Sequence, residues 1–344
     1  MRIHELQHRL TEAGAGPGHA RRVLRAWTHA LPRDAGRRKP ATYFPASLMA
    51  ALPGIEAELA GLARIHAVHP GADGSERLLV ALADGQTIES VLLPRGGLCV
   101  SSQVGCAVGC RFCMTGRDGL LRQVGSAEIV AQVALARQRR AVRKVVFMGM
   151  GEPAHNLDNV IEAIELLGTV GDIGHKSLVF STVGDLRAFD RLAHAAVKPA
   201  LALSLHTTRA ELRRQLLPRA PDLSPEALVD AAERYARASG YPVQYQWALL
   251  DGVNDGDDEI EGLVRLLAGK YGVLNLIPFN PVDGAGYRRP PRERCERMAQ
   301  TLNARGILTK LRWSAGQDVD GGCGQLRARA LEDGAVIDFR PRGS

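Results

Sequence analysis

The chain has 344 residues, room for one large α/β unit and a small appendage at the usual ~100–200 residues per domain, and 45% hydrophobic with 5% aromatic residues fits an ordinary soluble enzyme. No apolar run reaches the roughly 18 residues of a membrane span, and the stretch from Met1 to Leu6 lacks the apolar core of a signal peptide, so the expected location is the cytoplasm, where thiols stay reduced. A net charge of +7, with basic clusters at Arg21-Arg22, Arg38-Lys39, Arg139-Arg140, Arg143-Lys144 and Arg288-Arg289, biases the surface toward polyanions, although a solvated basic surface explains it equally well.

Residues 2–10 and 19–31 read as two short amphipathic helices separated by Gly14, Gly16, Pro17 and Gly18, which sets residues 1–40 apart as a small N-terminal helical module. Residues 41–94 read as a linker followed by a β-hairpin or meander: positions 62–93 are alternating and β-branched, with a turn at Ala83-Asp84-Gly85. Glu89 falls in the last of these strands, where the plainer expectation for a glutamate is the solvent face.

Residues 95–330 form the core. Apolar segments 98–103, 142–150, 177–183, 199–205, 243–249 and 273–279 alternate with helical segments 126–140, 159–167, 186–195, 224–239, 257–270 and 292–306. Alternation of this kind demands parallel strands with right-handed crossovers, and a partial (β/α)6 barrel is the natural closure. Residues 331–344 remain as a C-terminal tail.

Four of the six cysteines fall within 99–113, and Cys106, Cys110 and Cys113 make a C-x3-C-x2-C run on a glycine-containing loop. A structural zinc site needs four ligands, commonly in two separated pairs, and no second pair follows. A thioredoxin-like Cys110/Cys113 redox pair leaves Cys106 without a purpose. Three thiolates on a short loop suit a [4Fe–4S] cluster with one open iron, and S-adenosylmethionine (SAM) can fill that corner through its amino and carboxylate groups.

Polar motifs recur where the predicted strands end, the place where such sheets put their chemistry. The second strand runs into Gly149-Met150-Gly151-Glu152-Pro153, the third ends in Ser181-Thr182, the fourth in Ser204-Leu205-His206 and the sixth in Pro278-Phe279-Asn280. Taken singly, these are tight turns, helix caps or a satisfied core histidine. In register they outline a pocket.

The string Leu98-Cys99-Val100-Ser101-Ser102-Gln103-Val104-Gly105-Cys106, with the cysteines after it, Gly151-Glu152-Pro153, Ser204-Leu205-His206 and the segment around Cys323-Gly324-Gln325, resembles the RlmN/Cfr family of radical-SAM RNA methyltransferases. The resemblance spans residues 89–326. It implies a [4Fe–4S] cluster on Cys106, Cys110 and Cys113, with SAM touched by Gly151, Glu152, Ser181, Ser204, Leu205, His206 and Asn280. It also implies that Cys323 is methylated by one SAM, that a second SAM cleaved on the cluster yields a radical that activates the S-methyl group, and that the resulting carbon adds to C2 or C8 of an adenosine in ribosomal or transfer RNA. Glu89 then accepts a proton, and Cys99 releases the product as a Cys99–Cys323 disulfide. An external electron donor such as flavodoxin, action as a monomer and RNA contacts from the N-terminal module belong to the same expectation. Other classes remain open at this point: a radical-SAM activase or mutase, which has no use for Cys99 and Cys323; a family member acting on a different substrate; and a basic RNA-binding protein with a structural metal.

Overall fold

The computed structural model describes residues 1–36, 38–281 and 284–314. The segment holding Cys323 and the tail 331–344 lie outside the described residues. In chain order the helices α1 (Ile3–Glu12), α2 (Pro17–Thr28), α3 (Pro40–Tyr43) and α4 (Ala46–Gly61) precede strands β1 (Ala63–Pro70), β2 (Glu76–Leu82), β3 (Thr87–Leu93), β4 (Gly97–Cys99), β5 (Gln103–Gly105) and β6 (Leu120–Gln123). Then α5 (Ser126–Arg139), β7 (Lys144–Phe147), α6 (Leu157–Thr169), β8 (Leu178–Thr182), α7 (Leu186–His194), β9 (Ala200–Ser204) and α8 (Ala210–Leu216) follow. The rest is α9 (Pro225–Ser239), β10 (Val243–Leu249), α10 (Asp257–Leu267), β11 (Gly272–Pro278), α11 (Arg292–Ala304) and β12 (Thr309–Leu311).

Among the described residues these strands make one ten-stranded sheet in the order β1-β2-β3-β4-β7-β8-β9-β10-β11-β12 and a separate β5-β6 pair. From β4 onward every pairing is parallel. This is the predicted α/β partial barrel, with β12 added as a seventh parallel strand at its edge. The first three strands pair antiparallel and join the barrel through β3 and β4.

Alternation along each strand separates two faces. Leu98, Val145, Phe180, Leu203, Tyr245, Trp247 and Leu276 point outward into the main hydrophobic cluster beneath the helices. The concave face carries Val146, Val179, Ala200 and Ala202, which belong to a small buried apolar cluster of their own. The main cluster also takes in Leu6, Leu10, Leu24, Leu48 and Leu52, so α1, α2 and α4 share their core with the sheet and α5.

Besides β12 and the short α8, which the sequence reading did not foresee, two local readings differ from the sequence expectation. The segment read as linker contains α4, a sixteen-residue helix with Pro53 inside it. Its proline and glycine hide the pattern, but Leu48, Leu52, Ile55 and Leu59 are buried, and that face outweighs the lost local hydrogen bond. The single strand expected over 98–103 splits, because only Gly97–Cys99 stays in the main sheet while Gln103–Gly105 pairs with β6.

Candidate cofactor and catalytic site

The β5-β6 pair clamps both ends of the cysteine loop. Gly105 has φ +78°, and a Cβ there would lie 2.1 Å from the Gly119 carbonyl oxygen, the same oxygen that accepts the Cys106 N–H at 2.9 Å. Only glycine permits that approach. Further round the loop, Gly109 and Gly116 touch back to back, Cys113 N–H donates to the Cys110 carbonyl at 3.1 Å, and Arg111 N–H donates to the Leu216 carbonyl at the end of α8.

The loop faces a cavity of about 320 Å3 at the C-terminal ends of the parallel strands. Cys106, Cys110 and Cys113 line it together with Gly151, Glu152, Ser181, Ser204, His206 and Asn280, so the structure brings nine of the expected site residues to one space. Leu205 is the exception among the cofactor residues: its side chain is wholly buried in the main cluster, and its N–H donates to the Gln246 carbonyl at 3.1 Å.

The Gly149–Pro153 turn sits directly on the strand that feeds the cysteine loop. A Cβ on Gly149 would meet the Val100 carbonyl at 2.7 Å, and one on Gly151, whose φ is +103°, would meet Gln103 Cβ at 2.6 Å. Gln103 Oε1 accepts the Glu152 N–H at 2.8 Å. The Glu152 carboxylate accepts N–H groups from Ala154 at 3.1 Å and Val183 at 3.0 Å. Burial outweighs these donors and raises its pKa to about 7.

His206 is held in the left-handed region at φ +62°. Its Nδ1 accepts the Ala248 N–H at 3.0 Å, and its ring meets Phe112 of the cysteine loop edge-on at 4.9 Å. Burial, with a smaller contribution from Arg213, lowers its pKa to about 3, so the ring is neutral. Burial also pushes the Cys106 thiol up to about 12 and Cys110 well above its ordinary value, with the neighbouring cysteines adding to the effect. Burial therefore favours the neutral thiols of Cys106 and Cys110, and a cation beside the sulfurs would favour their thiolates. Among the described residues no three His, Cys, Asp or Glu side chains converge as one metal ion requires. Three cysteine sulfurs lining one cavity are a donor set that would suit an iron–sulfur cluster.

Glu89 and Cys99 lie outside this cavity lining but on the same face of the sheet. Val91 pairs with Cys99, and Cys99 with Val146, whose neighbour Met148 lines the cavity. Glu89, two residues before Val91, is thus a diagonal cross-strand neighbour of Cys99 on the concave face. The solvent-face expectation for Glu89 does not hold: it is 1% exposed, and Oε2 pairs with Arg77 Nη1 at 3.2 Å across β2 and β3. Cys323 lies outside the described residues.

Sequence reasoning missed Gln246, which also lines the cavity, and Arg213, which lies beneath it. The signal for Gln246 is in the strand itself, since Val243-Gln244-Tyr245-Gln246-Trp247 alternates apolar with polar, as a strand does when its inner face is not an oily core.

A model of the radical SAM superfamily matches residues 100–267. A probable RNA methyltransferase of Aromatoleum aromaticum is 70% identical over 98% of this chain and 95% of its own length. One of Pseudomonas aeruginosa is 64% identical over 96% of each chain. A radical SAM methyltransferase from Sphaerobacter thermophilus, known from its crystal structure, superposes with a TM-score of 0.80 at 36% identity, covering 94% of this chain and 97% of that one. The chain is a radical-SAM RNA methyltransferase and belongs to the RlmN/Cfr family whose motifs it carries.

Proposed function

We propose that this enzyme methylates a carbon of adenosine, C2 or C8, in ribosomal or transfer RNA, using Cys323 as methyl carrier, Glu89 as proton acceptor and Cys99 as resolving thiol. Those ring carbons are electron-poor and cannot attack an electrophilic methyl group. A [4Fe–4S] cluster and SAM, when bound, supply the one-electron cleavage that opens a radical route.

The protein's part is to hold and to finish. Cys106, Cys110 and Cys113 would hold the cluster through their sulfurs. The Glu152 carboxylate takes the methionine ammonium, the turn at Gly151 lets the ligand approach the backbone, and Ser181, Ser204, His206 and Asn280 line the rest of the SAM site, with Leu205 contributing through its backbone. Glu89 takes the proton from the methylated carbon. Once the unpaired electron left by the addition has passed to a one-electron acceptor, a role the bound cluster would serve, the Cys99 thiolate bonds to Cys323 sulfur as the sulfur–carbon bond breaks. The bonding pair stays with the methylene carbon, which takes up a proton to become the methyl group, and an external thiol reductant resets the disulfide.

The observation that carries this reading is the placement of Glu89 and Cys99 as diagonal neighbours on the concave face that runs into the cysteine-lined cavity. An activase or mutase has no use for that pair. The concave face also carries Lys144 and, on β12, Lys310, with Arg312 just past that strand, close enough that Arg312 and Lys310 lower the pKa of Lys144 beyond what burial does. A cationic lining suits an RNA backbone. An acidic one-electron carrier such as flavodoxin, a monomeric state and a cytoplasmic location complete the reading, with the N-terminal helices of residues 1–40 as an accessory RNA-holding module. The test is mass spectrometry of nucleosides from RNA incubated with the cluster-loaded enzyme and SAM: a methyladenosine with the group on C2 or C8 is expected, and a methyl on nitrogen or ribose overturns it.

A further inference from the structure

Arg213 on α8 is 3% exposed, yet among the described residues no carboxylate lies within ion-pair distance of it. One Nη donates to the Val183 and Ser204 carbonyls, Nε is buried with no partner, and Cys110 and Glu152 are the acidic groups near enough to act on its charge. A buried guanidinium without a counter-charge is strongly unfavourable. The same helix end caps the cysteine loop, since the Arg111 N–H donates to Leu216.

We propose that Arg213 is the buried counter-cation of the cluster site: its guanidinium balances the thiolates of Cys106, Cys110 and Cys113 and makes the cluster easier to reduce. The inference rests on the reading that those three cysteines hold the cluster. Three thiolates outweigh the charge of the oxidised core, so the loaded site is anionic. A fixed cation beneath it favours the more negative, reduced state over the oxidised one. Without the cluster, the same charge has only the Glu152 side of the cavity to face.

The test uses cluster-loaded wild type, Arg213→Met and Arg213→Lys, without RNA. Iron and sulfide content, the cluster midpoint potential and the rise in Tm on loading the cluster are measured for each. Arg213→Met should show a more negative potential and a smaller rise in Tm than wild type, and Arg213→Lys should stay close to wild type in both. A loaded Arg213→Met with wild-type potential and wild-type Tm rise makes Arg213 a structural residue and overturns the proposal. Weaker SAM binding at an unchanged potential also overturns it, because the guanidinium then serves the SAM carboxylate. Should Arg213→Met fold too poorly to load, Arg213→Lys decides: retained cluster and potential support the proposal, and loss of the cluster despite the retained charge refutes it. A wild-type chain that takes up no iron refutes the cluster reading itself.

Discussion

Glu152 and His206 occupy the same cavity but are tuned in opposite senses by the same cause. Burial favours the neutral form of each, which leaves Glu152 titrating near 7 and His206 near 3. Replacing Glu152 by Gln keeps the shape and removes the anion, so SAM affinity should fall about ten- to a hundredfold, the equivalent of a charge-assisted hydrogen bond, at unchanged iron content. Equilibrium binding of SAM to the loaded variant measures it, and wild-type affinity would remove Glu152 from the SAM site. For His206 the unfolded chain takes up a proton near pH 6.5 while the folded chain resists until about 3. Stability from this group is therefore complete above pH 6.5 and lost as pH falls toward 3. His206→Asn, which tolerates a positive φ, lacks that loss, so its disadvantage against wild type in urea unfolding of the cluster-free protein should shrink by about 2 kcal/mol between pH 7 and pH 5. An unchanged difference would mean that the ring titrates in the folded state as it does in water.

At the scale of elements, what the sequence revealed and what it hid have separate physical causes. The six barrel strands and their helices were legible because each repeats a strong period, and the cysteine loop because its ligand types and spacing suit few purposes. The helix α4 was hidden because Pro53-Gly54 contradicts local helix propensity, and only contacts made by Leu48 and Leu52 with distant segments decide it. The burial of Glu89 was hidden for a similar reason, since Arg77 lies twelve positions away and only strand pairing brings the two together. The β5-β6 clamp was hidden by its brevity, three residues against four. That clamp is testable. In Gly105→Ala, strain at positive φ costs about 1–3 kcal/mol before the clash with the Gly119 carbonyl is counted. The clamp should open and iron uptake should fall sharply, while the far-ultraviolet circular dichroism of the barrel persists. Full iron uptake by Gly105→Ala would show that the loop does not need its clamp.

Across the whole molecule, one sheet links the parts. Its antiparallel end contributes Arg77, Glu89 and Cys99, its parallel middle contributes the cavity, and its last strand contributes Lys310, with Arg312 just beyond it, near enough to act on Lys144. Among the described residues no helix is long and apolar enough to cross a membrane. If the concave cations hold RNA, the double variant Lys144→Ala, Lys310→Ala should bind RNA more weakly at low salt and lose about one unit of salt-dependence slope per phosphate contact removed. SAM cleavage without RNA should be unaffected, and an unchanged salt slope would move RNA to another surface.

The sharpest test of the whole account is a denaturing gel of cysteine variants incubated with SAM, reductant and RNA. If Cys323 carries the methyl group and Cys99 resolves the adduct, Cys99→Ala still accepts the methyl and joins the base but cannot let go. It should accumulate a protein–RNA species whose shifted band collapses on nuclease treatment, whereas Cys323→Ala, with nowhere to place the methyl, should show none. Two variants equally destabilised and equally free of covalent RNA would mean that these thiols serve only structure, and would contradict the mechanism.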